Sequence, residues 1–193
     1  MLAGEFANQV KGFADEISDL IRATVKGISR DVEVTLADHE RATIALVGTP
    51  RARCLVAGRA AAEISVLIGC RVDSEGRYLA VTNSGFALYA TLDRTPIVRL
   101  EYADTMRSAP SCHWQIHAER GALSHLLTLS RRQKPHMLSG LHFPVGGARF
   151  RPGLEDFLQF AIEECGLDAV DEYETALAAG REMAPTPSSD RCS

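Results

Sequence analysis

Residues 60–92, AAAEISVLIGCRVDSEGRYLAVTNSGFALYATL, decide the fold class. Ile64, Val66 and Ile68 recur at every second position, which puts their side chains on one face of an extended strand. Residues 73–76 then turn the chain. Residues 78–82 and 86–92 read as two further strands flanking Asn83-Ser84-Gly85, a hairpin signal because Asn and Gly tolerate positive φ. Upstream, 32–37 and 41–47 are short β-rich runs with Asp38-His39 as their turn, and Gly48-Thr49-Pro50 breaks the next connection. Downstream, 96–102 and 111–118 follow as strands. Connections this short join antiparallel neighbours, since a parallel pair needs a crossover of about a dozen residues or more. The expectation is an α+β fold on an antiparallel meander of about six or seven strands.

Helical periodicity flanks the strands. Phe6, Val10, Phe13, Ile17, Leu20, Ile21 and Val25 fall at spacings of three and four on one face, and Gly27 with the polar run 29–31 ends the helix. After residue 118, Leu123, Leu126 and Leu127 mark a helix over 119–129. Pro152 opens another, with Leu154, Phe157, Leu158, Ala161, Ile162 and Cys165 on one face, acids in its first turn and Gly166 at its C-terminus. Asp168 is expected to cap a last helix running to Met183, with Val170, Tyr173 and Leu177 inward. The organisation expected is one domain over 1–183: a helix in 1–30, the sheet in 32–118 and a helical part in 119–183. The Pro- and Ser-rich tail 184–193 is expected to be disordered.

Of 193 residues, 46% are apolar and 24% charged, which suits a buried core and excludes wholesale disorder. No stretch approaches the roughly eighteen apolar residues of a membrane span, and the first residues lack the layout of a signal peptide. A cytoplasmic location is expected. Cys54, Cys70, Cys112, Cys165 and Cys192 are scattered, odd in number and never in a C-x-x-C pair, so neither a disulfide framework nor a zinc ribbon is indicated. Four of them sit in apolar segments, as small packing residues. Cys112 adjoins the histidine strand described next, which leaves a reactive thiol as the minor alternative.

Charge is unevenly spread. Residues 94–153 hold nine Lys or Arg against three Asp or Glu, together with five of the six histidines, whereas 154–193 hold two against ten. That asymmetry fits an anionic ligand on the middle segment, internal pairing between the two segments, or plain solvated faces.

Within the basic segment, Ser111-Cys112-His113-Trp114-Gln115-Ile116-His117-Ala118 alternates. Cys112, Trp114, Ile116 and Ala118 point one way; His113, Gln115 and His117 point the other. The preceding strand puts Val98, Leu100 and Tyr102 on one side, Arg99 and Glu101 on the other. Pairing of the two strands gathers Arg99, Glu101, His113, Gln115 and His117 on one face, provided the register allows it. His113 and His117 would have Cα atoms about 13 Å apart at roughly 3.3 Å per residue, too far to share one zinc ion at bond lengths near 2 Å. No metal or other cofactor is expected. Acid–base work at a phosphodiester is easier to accommodate, with His113 and His117 exchanging protons and Arg99, Arg107 and Arg120 neutralising charge. The bland alternative is a solvated sheet face.

A second unusual stretch runs Leu141-His142-Phe143-Pro144-Val145-Gly146-Gly147-Ala148-Arg149-Phe150-Arg151-Pro152. Gly146 and Gly147 followed by Arg149 and Arg151 ahead of a helix could form an anion-binding nest, or the arginines could pair with the acids of that helix. His142 is either a further site histidine or a hydrogen-bonded core residue. The spacing matches neither a Walker loop nor a dinucleotide fingerprint.

The run Val98-Arg99-Leu100-Glu101-Tyr102, a loop, then His113-Trp114-Gln115-Ile116-His117 resembles the core of TumE-type toxins of bacterial toxin–antitoxin pairs. The loop Leu-His-x-Pro-Val-Gly-Gly is similar to that of widespread uncharacterised bacterial proteins. The first resemblance implies a nuclease. The expected function is therefore a metal-independent nuclease or phosphodiester-processing protein of a bacterial toxin or defence module, meeting RNA or another anionic ligand and paired with a cognate antitoxin or other partner protein. The alternative is a non-enzymatic binding or regulatory protein, with the first helix as a partner or homodimer interface. No membrane association is expected.

Overall fold

The computed structural model describes residues 3–28, 31–47, 51–105, 112–117, 121–131 and 153–183. In chain order these form α1 (Ala3–Thr24), β1 (Val32–Leu36), β2 (Arg41–Leu46), β3 (Ala52–Val56), β4 (Arg59–Val72), β5 (Leu79–Ala90), β6 (Val98–Ala103), β7 (Cys112–Ile116), α2 (Ala122–Leu129), α3 (Leu154–Glu163) and α4 (Tyr173–Met183). The strands make one antiparallel sheet in the order β1-β2-β4-β5-β6-β7, with β3 also paired to β4. The α+β class and the meander-like order are as the turn spacing indicates.

β4 is the spine, and its length explains the layout. One edge runs along β5; the other is shared end to end, β3 on residues 59–64 and β2 on residues 67–71. Period-two alternation gives β4 one wholly apolar side: Ile64, Val66, Ile68 and Cys70 are buried, while Leu67 is 45% exposed. Ile44, Leu46, Phe86, Leu88, Val98 and Leu100 extend that apolar side across the sheet. Onto it pack α1, through Phe6, Val10, Ala14, Ile17 and Ile21, and α3, through Phe157, Leu158 and Ala161. Trp114 of β7 stacks on Phe157 (ring centroids 6.5 Å apart, planes 21° apart) and tilts against Phe160 at 5.1 Å.

Three expectations are corrected. Residues 83–85 are no hairpin turn, because β5 continues through them without a break. Asn83 pairs with Gly69 and Val81 with Cys70, so Thr82 is one residue extra, a β-bulge. Asn83 and Gly85 fall on the side of the sheet away from α1 and α3, and neither adopts positive φ. Next, β3 was not anticipated. It returns to β4 through Ala57 (φ 50) and Gly58 (φ 73), a tight left-handed turn. One strand fewer and one more leave the count at seven.

Third, Asp168 does not cap α4. Its carboxylate accepts hydrogen bonds from the N–H groups of Ala57 (2.8 Å) and Gly58 (2.7 Å), holding the β3–β4 turn. Its own N–H donates to Leu55 O, its carbonyl accepts from Lys26 N–H, and Val25 bridges Ala169. The end of α1, the β3–β4 hairpin and the α3–α4 connection are thereby tied at one point. The acids opening α3 also sit deeper than a first-turn position suggests. Asp156 is wholly buried, accepting from Gly153 N–H at 2.7 Å and from Arg181 at 3.1 Å. The expected tail 184–193 lies outside the described residues. Among them, no helix is long and apolar enough to cross a membrane.

Candidate functional site

The site follows from the pairing of β6 with β7. Leu100 stands opposite Trp114 and Val98 opposite Ile116, so the apolar members of both strands face the helices together. Alternation then forces the polar members onto the other side of the sheet: Arg99 opposite Gln115, and Glu101 opposite His113. His117 lies one step past the end of β7, its N–H donating to Ile97 O at 2.9 Å, and Ile97 itself is buried in the core. The expected face therefore gathers Arg99, Glu101, His113 and Gln115, and the strand pairing ends before His117. On the far side of Arg99 and Glu101, β5 presents Ala87 and Gly85, whose small side chains leave the cluster room.

Glu101 divides its two oxygens. Oε1 is 3.1 Å from Arg99 Nη1, and Oε2 is 3.4 Å from His113 Nε2. Arg99 Nη2 also donates to Gln115 Oε1. The side chains of Arg99, Glu101 and His113 are 34%, 30% and 21% exposed, so solvent screens the pairs less than on an open surface. A carboxylate at an imidazole fixes the ring's orientation and stabilises its protonated form, a useful arrangement for proton transfer. Arg99 Nε and His117 Nε2 are buried and meet no hydrogen-bond partner among the described residues.

Beside Glu101 lies a shallow depression of about 240 Å³, lined by Leu67, Asn83, Ser84, Gly85, Glu101 and Tyr102. The sequence does not mark Leu67, Asn83 or Gly85 as site residues. Two of them fell in the stretch taken for a turn, and alignment of β5 against β6 is the signal that would have exposed them.

Arg107 and Arg120, together with His142, Gly146, Gly147, Arg149 and Arg151, lie outside the described residues. Cys112 is half-buried, opposite Tyr102. Cys54 and Cys70 are packed beneath the helices, where burial pushes their thiols up to about 12 and about 11, away from reactivity. Among the described residues, no group of three or more His, Cys, Asp or Glu side chains is placed to hold a metal ion. Comparison of the chain with models of protein families, with curated proteins and with solved structures gives no match.

Proposed function

We propose that the chain is a phosphodiester-processing protein, a nuclease acting on RNA, with His113 as its proton-transfer residue. The observation that carries this reading is the half-buried His113–Glu101–Arg99 chain beside an open depression. In the proposed reaction the imidazole of His113 takes the proton of an attacking hydroxyl as its oxygen bonds to phosphorus. The ester oxygen on the opposite side leaves and is protonated by solvent. Glu101 stabilises the imidazolium that forms, and Arg99 supplies positive charge beside the phosphorus centre. These groups can perform the step without a metal. The net positive charge of 94–153 would favour a polyanionic ligand for the chain. Growth arrest on expression, with a cognate antitoxin as partner, is the cellular setting that the reading implies.

A second reading has a specific observation behind it. The guanidinium of Arg99 is already engaged by Glu101 and Gln115, as expected of a structural network in a non-enzymatic binding protein. The two separate on one experiment. Wild type and His113→Ala are induced in a bacterial host, total RNA is run from each culture, and the purified proteins are given single-stranded RNA. RNA cleavage by the wild type, lost by about 10²-fold or more in a folded His113→Ala protein, is the expected result. Intact RNA in both would transfer the assignment to a binding protein.

A further inference from the structure

An antiparallel pair of strands bonds through alternate residues of each. In β1 the residues that bond to β2 are the odd-numbered ones, as the ends of the ladder show: Val47 N–H donates to Asp31 O at 3.0 Å and Ala37 N–H to Arg41 O at 2.9 Å. The N–H and C=O groups of Val32, Val34 and Leu36 therefore point away from the sheet, and β1 ends the strand order on this side. Ser18 of α1 covers the start of that edge, its Oγ accepting from Val32 N–H at 3.1 Å. The outward groups of Val34 and Leu36 meet no partner among the described residues.

Natural sheets blunt such an edge with charge, proline or a bulge, because an open edge templates pairing with another strand. β3, another outer strand, carries two of these devices, a bulge between Cys54 and Leu55 and the exposed Arg53. β1 reads VEVTL, with no proline, no register shift and Glu33 as its one charge. Leu36, on its helix side, is 49% exposed.

We propose that two copies of the chain pair β1 to β1, antiparallel about a two-fold axis at Thr35, and so join their sheets into one. Val34 of each copy then exchanges both N–H···O bonds with Leu36 of the other, while Ser18 keeps Val32 N–H. The turn at 38–40 leads each chain away where Ser18 closes the edge. Charge selects this register over the neighbouring one. With the axis at Thr35, Glu33 stands opposite Ala37 of the second copy, whose small side chain leaves Arg41 of the next strand within reach. Asp38 engages only Nε and Nη2 of that arginine, so Nη1 is available to Glu33. With the axis at Val34, Glu33 would face Thr35, with Thr43 beyond it and no cation. In the joined sheet the helices of both copies lie on one side and both candidate sites on the other. The contact is small against the roughly 1,200–2,000 Å² of stable complexes, so the expected Kd is about 10–100 μM.

Sedimentation velocity on the full chain, from about 1 μM to about 1 mM, should show a reversible monomer–dimer equilibrium. Thr35 is exposed and lies on the axis, so Thr35→Lys sets two cations opposite each other. It should raise the Kd about fivefold or more with thermal unfolding unchanged. Thr35→Cys tests the register itself. Directly opposite residues at such a non-hydrogen-bonded position have Cα atoms about 4.5 Å apart, within the range a disulfide spans. Oxidised glutathione should therefore link Thr35→Cys chains into a covalent dimer, well above the level given by the wild type or by Glu33→Cys. A chain that stays monomeric throughout the range would overturn the proposal. So would a dimer that Thr35→Lys leaves unmoved and Thr35→Cys does not link, since its interface would lie elsewhere. Should Thr35→Lys fail to fold, the cross-linking decides alone.

Discussion

The carboxylate of Asp168 meets two adjacent backbone N–H groups, those of Ala57 and Gly58, in a turn whose residues both have positive φ. Ala57 pays a steric penalty there that glycine would not, and the carboxylate is what offsets it. Asp168→Ala should therefore lower stability by about 2 kcal/mol through two lost charge-assisted bonds, read as a lower urea midpoint at unchanged slope. Asp168→Asn, with one carbonyl acceptor, should fall between. Gly69 makes a different case. A Cβ built there would lie 2.1 Å from Asn83 Oδ1, across the bulge. Asn83 is exposed and its side chain can turn away, so Gly69→Ala should change stability by no more than about 0.5 kcal/mol in thermal unfolding. At this scale the sequence was only half legible. Alternation along 98–102 and 113–117 placed Arg99, Glu101, His113 and Gln115 on one face. Which of them stand opposite one another depends on register, and Trp114 facing Leu100 in the core sets that. Asn83 and Gly85 were misread because both tolerate two backbone states, and only the partner strand selects between them.

Among the elements, α3 is seated on the sheet through Phe157. Phe157 is fully buried and touches both Phe86 of β5 (centroids 5.9 Å apart) and Trp114 of β7. Phe157→Ala should destabilise the fold by about 3–5 kcal/mol. The chain has one tryptophan, so the same variant should red-shift intrinsic emission as Trp114 loses its stacking partner. That makes fluorescence a direct report of α3 seated on the sheet behind the candidate site. The existence of α1, α3 and α4 was legible from apolar spacing, which is set locally. β3 was not, since residues 52–56 carry too short an alternation to stand out. It becomes a strand because β4 is long enough to pair with two partners on one edge. The depth of Asp156 was hidden for the same kind of reason: its burial is made by Arg181, which arrives from another helix.

Over the whole molecule, protonation and access couple to global stability. Asp38, through its hydrogen bond to Arg41, and Asp73, through the backbone N–H groups of Arg77 and Tyr78, are both held below the ordinary carboxylate range. Their contribution is present above the unfolded value of 3.8 and is lost as pH falls through the lower folded values. The unfolding midpoint should therefore decline in acid below about pH 4, and Asp73→Asn should flatten part of that decline. The thiols of Cys54 and Cys70 belong to the same buried core as the apolar faces of α1 and α3 and stay protonated at neutral pH. A thiol reagent should consequently label them at the rate of global opening, and rapid labelling of either would show that the helices lift independently. The three-way junction at Asp168 also carries a consequence for biosynthesis. The ribosome releases residues 24–26 and 55–58 well before residues 168–170 exist, and those late residues supply the contacts that join the two earlier segments. A nascent chain short of α3 therefore lacks one of the two helices that cover the apolar side of the sheet. The contacts that close this junction can form only once residues 168–170 have left the exit tunnel.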